Sequence, residues 1–251
     1  MHTLSARCST LLVLCGAAGF SRAEDLPPEL VARPATLPHG MIAATLDGGY
    51  DSAHVLGITV LSETSLGLVV QRGMTSRLEL SLATGFDVHP DPGWSRDGVF
   101  ALAYRAWQRD TVELAPSLTV PLSARSGVDL TSTIVLGAGV RWHATPCVLF
   151  VFGQRLIPLP IRPAVAFDVG ADASVVVQLA QRWAVVGEAV LGEATLVGQT
   201  DRGVAPWHHL PAIARVVYAS EHALDIAFEL HGDARDPRTA AGFAVEITRR
   251  M

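Results

Sequence analysis

The chain has 251 residues, enough for one large β domain or two small ones. Hydrophobic residues make up 49% and charged residues only 17%, below the roughly 25% charged that soluble domains average. The formal net charge of −5, with no basic patch, excludes a generic nucleic-acid binder.

All 19 basic residues are Arg and none is Lys, which reads as codon bias. Beyond the first two dozen residues no apolar run is long enough for a membrane helix. The uncharged stretch Trp142 to Gln154 has 13 residues, and a spanning helix needs roughly 18 or more. The hydrophobicity is spread along the chain, as a barrel requires and a helical bundle does not.

Met1 to Ala23 has the three parts of a secretory signal: Arg7, an apolar core from Leu11 to Phe20, and small residues in Ser21-Arg22-Ala23. Cleavage before Glu24 is expected. The apolar core is too short to be a membrane anchor, and Leu14 is too bulky for lipid attachment at Cys15. Removal of this segment takes Cys8 and Cys15 with it. Cys147 then stands alone, which excludes an intramolecular disulfide or a cysteine-based metal site. It is expected as a small apolar residue on a strand. From Glu24 to Pro38 four prolines in fifteen residues predict an extended arm, lying in the periplasm or tucked into a lumen.

From Gly40 onward the chain alternates apolar and polar residues with period two, which places apolar side chains on one strand face. Leu78, Leu80 and Leu82 alternate with Glu79, Ser81 and Ala83; Phe100, Leu102 and Tyr104 alternate with Ala101, Ala103 and Arg105. The run from Val165 to Leu179 sets Phe167, Val169, Val175 and Val177 against Asp168, Gly170, Asp172, Ser174 and Gln178. Leu224, Ile226, Phe228 and Leu230 alternate with Asp225, Ala227, Glu229 and His231. A helix would scatter both sets around its circumference.

Short turns are expected near residues 74, 109, 145, 181 and 221, recurring about every 36 residues or slightly more. Between them lie longer Gly-, Pro- and Asp-rich stretches: Asp87 to Asp97, Ser123 to Asp129, Arg155 to Pro163, Thr200 to Trp207 and Gly232 to Thr239, with a first loop around Asp47 to Ala53. A period of that length holds two membrane-crossing strands of roughly 9–11 residues, a tight turn and a loop. Five tight turns, with both termini on the same side, predict twelve strands. The stretch Ser52 to Gln71 looks long for one strand. Trp107, Trp142, Trp183 and Tyr218 fall beside the short turns, where a ring with one polar handle suits a membrane boundary. Trp94 and Trp207 fall in long loops and are candidates for the opposite rim.

At the C-terminus Phe243, Val245, Ile247 and Met251 alternate apolar to the last residue, broken by Arg249. The leader, this last strand and the repeated turn-then-strand phrases (Thr75 to Leu80, Asp110 to Leu114, Glu221 to Ile226) resemble bacterial outer-membrane β-barrel proteins of the porin-like kind. The resemblance covers about residues 39 to 251. It implies an all-β, up-and-down antiparallel barrel in outer-membrane lipid, inserted by the barrel-insertion machinery. That machinery reads a terminal aromatic residue in the family, and Met251 departs from this.

Chemistry-bearing motifs are sparse. Gly137-Ala138-Gly139 and Gly48-Gly49 precede no helix and read as small wall residues, not a phosphate loop. Adjacent His208 and His209 point to opposite strand faces and cannot share a metal. A lipid-acting barrel enzyme would need a nucleophile, base and acid at one rim; Ser62, His208, His209 and Asp201 come from unrelated segments. No cofactor is expected.

The candidates for function are ionisable residues whose phase faces a lumen: Glu79, Arg105, Glu113, Arg141, Asp168, Asp172, Glu188, Arg215, Glu229 and Glu246. A charge facing lipid costs roughly 2–4 kcal/mol near the midplane, so an inward position explains them even without transport. Two readings follow from these residues, with a third on the rim. In the first, a diffusion channel passes small polar solutes. In the second, a closed barrel uses its loops for binding or serves structurally. The third is the lipid-acting enzyme.

Overall fold

The computed structural model describes residues 26–55, 58–90, 92–94, 97–123, 127–128, 133–153, 157–160, 167–197, 211–220, 223–233 and 240–251. Among these, twelve staves form the wall. They are β1 (Ile42–Val55), β2 (Ile58–Gly73), β3 (Leu78–His89), β4 (Gly93–Trp94, Asp97–Tyr104 and Trp107–Arg109), β5 (Val112–Ser123) and β6 (Gly127–Val128 and Thr133–Thr145). The second half comprises β7 (Val148–Phe152 and Ile157–Pro160), β8 (Phe167–Ala180), β9 (Trp183–Val197), β10 (Pro211–Ala219), β11 (Leu224–Asp233) and β12 (Ala240–Arg250). Each pairs antiparallel with its neighbours in chain order, and β12 returns to β1 from Ala43↔Arg250 to Ala53↔Ala240. The ring closes on itself, and among the described residues every stave is hydrogen-bonded to a neighbour on each side over at least part of its length.

Exposure follows the period-two pattern. On β11 Ile226, Phe228 and Leu230 are 42%, 48% and 53% exposed, while Ala227 and Glu229 between them are 5% and 8%. Register carries the same division from stave to stave. Ile226, Phe228 and Leu230 stand beside Ile247, Val245 and Phe243 on the outer face, and Ala227 and Glu229 stand beside Glu246 and Ala244 within. Large apolar residues thus cover the outside and polar ones the inside, the reverse of a soluble sandwich. On β12 Phe243, Val245 and Ile247 continue the apolar outer face and Arg249 ends it.

The five short turns lie between β2 and β3, β4 and β5, β6 and β7, β8 and β9, and β10 and β11. Local side chains close them. The Thr75 Oγ1 accepts from the N–H groups of Arg77 and Leu78. The Gln178 amide donates to the carbonyls of Ala180 and Trp183 across the β8–β9 turn. Beside these turns Trp107, Trp142 and Trp183 are exposed on the outer surface. Trp142 stacks on Phe150 at 5.5 Å and Trp183 meets Tyr218 at 5.0 Å. Trp94 belongs to a short ladder segment against Phe86, and Trp207 lies outside the described residues.

Several expectations are corrected, and within the stretches expected as long loops the ladder continues through Asp87 to His89, Gly93–Trp94, Gly127–Val128 and Ile157–Pro160. Asp47 to Ala53 is not a loop but the middle of β1. Asp47 and Asp51 face the interior, where carboxylates are tolerated, so the acidic, glycine-rich look of the stretch reflects a polar lumen and not a turn. Cys147 is not on a strand; it sits exposed in the β6–β7 turn after Pro146, its N–H donating to Thr145 Oγ1. Ser52 to Gln71 holds the end of β1 and most of the 16-residue β2.

Candidate functional site: the barrel interior and its arm

Residues 26–41 do not hang free. They turn through a 3₁₀ segment, Leu30–Ala32, and pass inside the short-turn end of the ring. Val31 is buried against Leu149 and Val151 of β7, Val176 of β8 and Ala184 of β9, forming the apolar core of the interior. Arg33 forms a two-point ion pair with Asp225 of β11, through bonds of 2.6 and 3.0 Å. Arg250 of β12 donates to the same carboxylate at 3.1 Å. The Arg33 carbonyl accepts from the Arg141 guanidinium of β6 at 2.8 Å. In a ring of twelve, β11 and β6 are five staves apart and nearly opposite, so Arg33 with Arg141 bridges the bore.

Further along, the Leu37 N–H donates to Glu79 of β3 at 2.8 Å, and Gln71 of β2 donates to the other oxygen of that carboxylate at 3.0 Å. The arm then enters β1 at Gly40, whose φ of 81° is the left-handed region that glycine adopts without strain. Gly40 N–H donates to the Gly73 carbonyl, and Gly73 N–H donates to that of Met41. A side chain at Gly73 would collide with the carbonyl oxygens of Leu37 and Pro38. The wall therefore carries a glycine where the arm crosses it.

Glu113 of β5 lies opposite Arg141 in register, 3.3 Å from it, and 3.9 Å from Arg105 between two segments of β4. At the short-turn end, then, Glu79, Glu113 and Asp225 face Arg33, Arg105, Arg141 and Arg250, and the charges nearly balance.

Farther from the short turns the balance changes. Arg215 of β10 binds Glu229 of β11 and reaches Glu246 of β12 at 3.3 Å. Glu188 of β9 faces inward beside it, on the Ile213 register. His231 bridges Glu229 and Asp51, reaching over Gly242, where a side chain would strike its ring. Asp47 lies across Gly67 in the same way, opposite Glu246, and Glu63 stands opposite Asp51. Among the described residues this zone sets Asp47, Asp51, Glu63, Glu188, Glu229 and Glu246 against Arg215 and His231. Wall residues between them are small: Gly49, Ser65, Gly67, Ala83, Ala101 and Ser117 share the inner face by register.

The sequence-predicted residues therefore fall into two groups. Glu79, Arg105, Glu113 and Arg141 lie at the arm; Glu188, Arg215, Glu229 and Glu246 lie in the acidic zone. Asp172 of β8 is buried in the wall at 6% exposure. Asp168 lies on β8 opposite Thr195, its side chain outside the described residues. Sequence reasoning passed over Asp47, Asp51, His231, Asp225 and Arg33. The signal for the first two was present: Thr45, Asp47, Gly49 and Asp51 alternate with Ala44, Leu46, Gly48 and Tyr50. Ser62 bonds Tyr50 by its hydroxyl; Asp201, His208 and His209 lie outside the described residues.

No protein-family model and no curated protein matches the chain. Solved structures do. The NanC porin in a rhombohedral crystal form superposes with a TM-score of 0.58 at 12% identity, covering 81% of this chain and 98% of the porin. The KdgM porin superposes at 0.54 and 7%, covering 82% and 98%. KdgM with disordered oligogalacturonate gives 0.54 and 6%, with the same coverage. With its closed twelve-stave ring, apolar exterior and polar interior, the chain is a β-barrel with the fold of the outer-membrane porins.

Proposed function

We propose that the mature chain, from Glu24, sits in a bacterial outer membrane as a diffusion channel for small polar solutes and favours cationic ones. The observation that supports this is the interior wall between the arm and the long loops. Small residues leave space there, and carboxylates outnumber cations among the described residues. A wall of one sign in a low-dielectric surround concentrates the opposite charge and sets ionic preference. Oligogalacturonate, bound in one of the KdgM structures, is a polyanion. The acidic wall here argues against carrying that solute class over.

A second reading has its own support: Arg33 and Arg141 cross the bore, as a closed barrel with a structural or loop-binding role would require. Liposome swelling separates the two. Vesicles bearing refolded Glu24 to Met251 are expected to swell faster in arginine hydrochloride than in sodium glutamate. A folded protein that supports swelling in neither solute favours the closed barrel. Faster swelling in glutamate would move the control of selectivity to the arginines of the long stretches, such as Arg155, Arg162 and Arg202.

A further inference from the structure

We infer that the arm is a displaceable gate, latched at Arg33, whose docking closes the short-turn mouth and whose spontaneous release opens it, so that the latch sets the fraction of time the channel conducts. The inference rests on the channel reading and adds its regulation.

The arm is joined to the wall by two kinds of contact. Its exit is backbone-paired at Gly40, Met41 and Gly73, continuous with β1. Its tip is held otherwise: Val31 in a cluster of five buried residues with Leu30 packed against it, one ion pair from Arg33 to Asp225, and the Arg141 bond to the Arg33 carbonyl. Arg33 also gathers its own segment, donating from Nε to the Pro27 carbonyl at 3.1 Å and from Nη2 to that of Pro28 at 3.4 Å. Breaking the Arg33 side-chain contacts therefore loosens the tip's own fold and leaves it on the wall only through Leu30, Val31 and the Arg33 carbonyl, with Gly40 as a hinge.

The wall is prepared for release as well as for docking. Asp225 keeps Arg250 as a second partner, so loss of Arg33 does not leave a lone buried charge. Arg141 likewise keeps Glu113 when it loses the Arg33 carbonyl. Asp225 and Arg141 thus keep an opposite charge without the arm, and Glu79 keeps the Gln71 amide, which limits the several-kcal/mol cost of an orphan ion in the undocked barrel.

The test uses the full mature chain in planar bilayers, with heat-dependent gel mobility to verify folding and proteinase K cleavage near Leu30–Ala32 to report the arm. Arg33→Gln and Gly73→Ala strike the arm at opposite ends. Both are expected to expose the segment to protease and to raise the open-to-closed ratio by roughly tenfold or more, the scale on which losing hydrogen bonds between charged groups shifts a two-state latch. Variants that expose the arm yet gate like the wild type would overturn the gate and leave the channel standing. An arm that stays protected in Arg33→Gln would overturn the latch. Folded variants with an exposed arm and no conductance would sink the channel reading beneath it.

Discussion

Glu113 is 2% exposed and stands opposite Arg141 on the neighbouring stave. Such a pair is not a cheap source of stability, because both ions lose water; removing one partner costs far more than removing both. Glu113→Ala is therefore expected to destabilise the folded barrel by about 3–5 kcal/mol, measured as urea unfolding in lipid vesicles. Glu113→Leu combined with Arg141→Met should recover most of that loss, and failure to recover it would mean that Arg141 is needed chiefly for the arm. Gly242 tests a steric point at the same scale. Its missing side chain lets His231 reach Asp51 across β12, so Gly242→Ala should displace the imidazole and cost about 1–3 kcal/mol in the same assay.

At the scale of the element, the outer face of β12 predicts depth-dependent intolerance. Val245→Arg puts a cation into the apolar band and is expected to cost about 2–4 kcal/mol. Arg249, on the same face but beside the short-turn boundary, is expected to be replaceable by Leu at little cost, read as the unfolding midpoint of each variant. The strands and short turns were legible in the sequence because the wall has two unlike faces: the outward residues are apolar at every second position, and the turns fall at a steady interval. Asp47 to Ala53 was misread because a polar lumen and a loop select the same residue types, Asp and Gly. The arm was half legible. Four prolines announced an extended segment, but its docking depends on Val31, Arg33 and Gly73, which are far apart in sequence from Leu149, Asp225 and Leu37. No local pattern records those pairings.

For the whole molecule, the phase of the alternation names candidate interior charges along each strand, yet it cannot divide them by height. Which carboxylates neutralise the arm and which line an open zone depends on stave register around a closed ring. That division is the basis of the functional account: a charge-balanced, arm-filled end and an acid-rich space leading to the long loops. It is tested most directly by single-channel recording of the refolded chain from Glu24 to Met251 across a tenfold KCl gradient. The account predicts discrete steps with a reversal potential on the potassium side, reduced toward zero when Asp47, Asp51 and Glu63 are changed to their amides. Steps that favour chloride, or a folded barrel that stays silent even with Arg33→Gln, would contradict it.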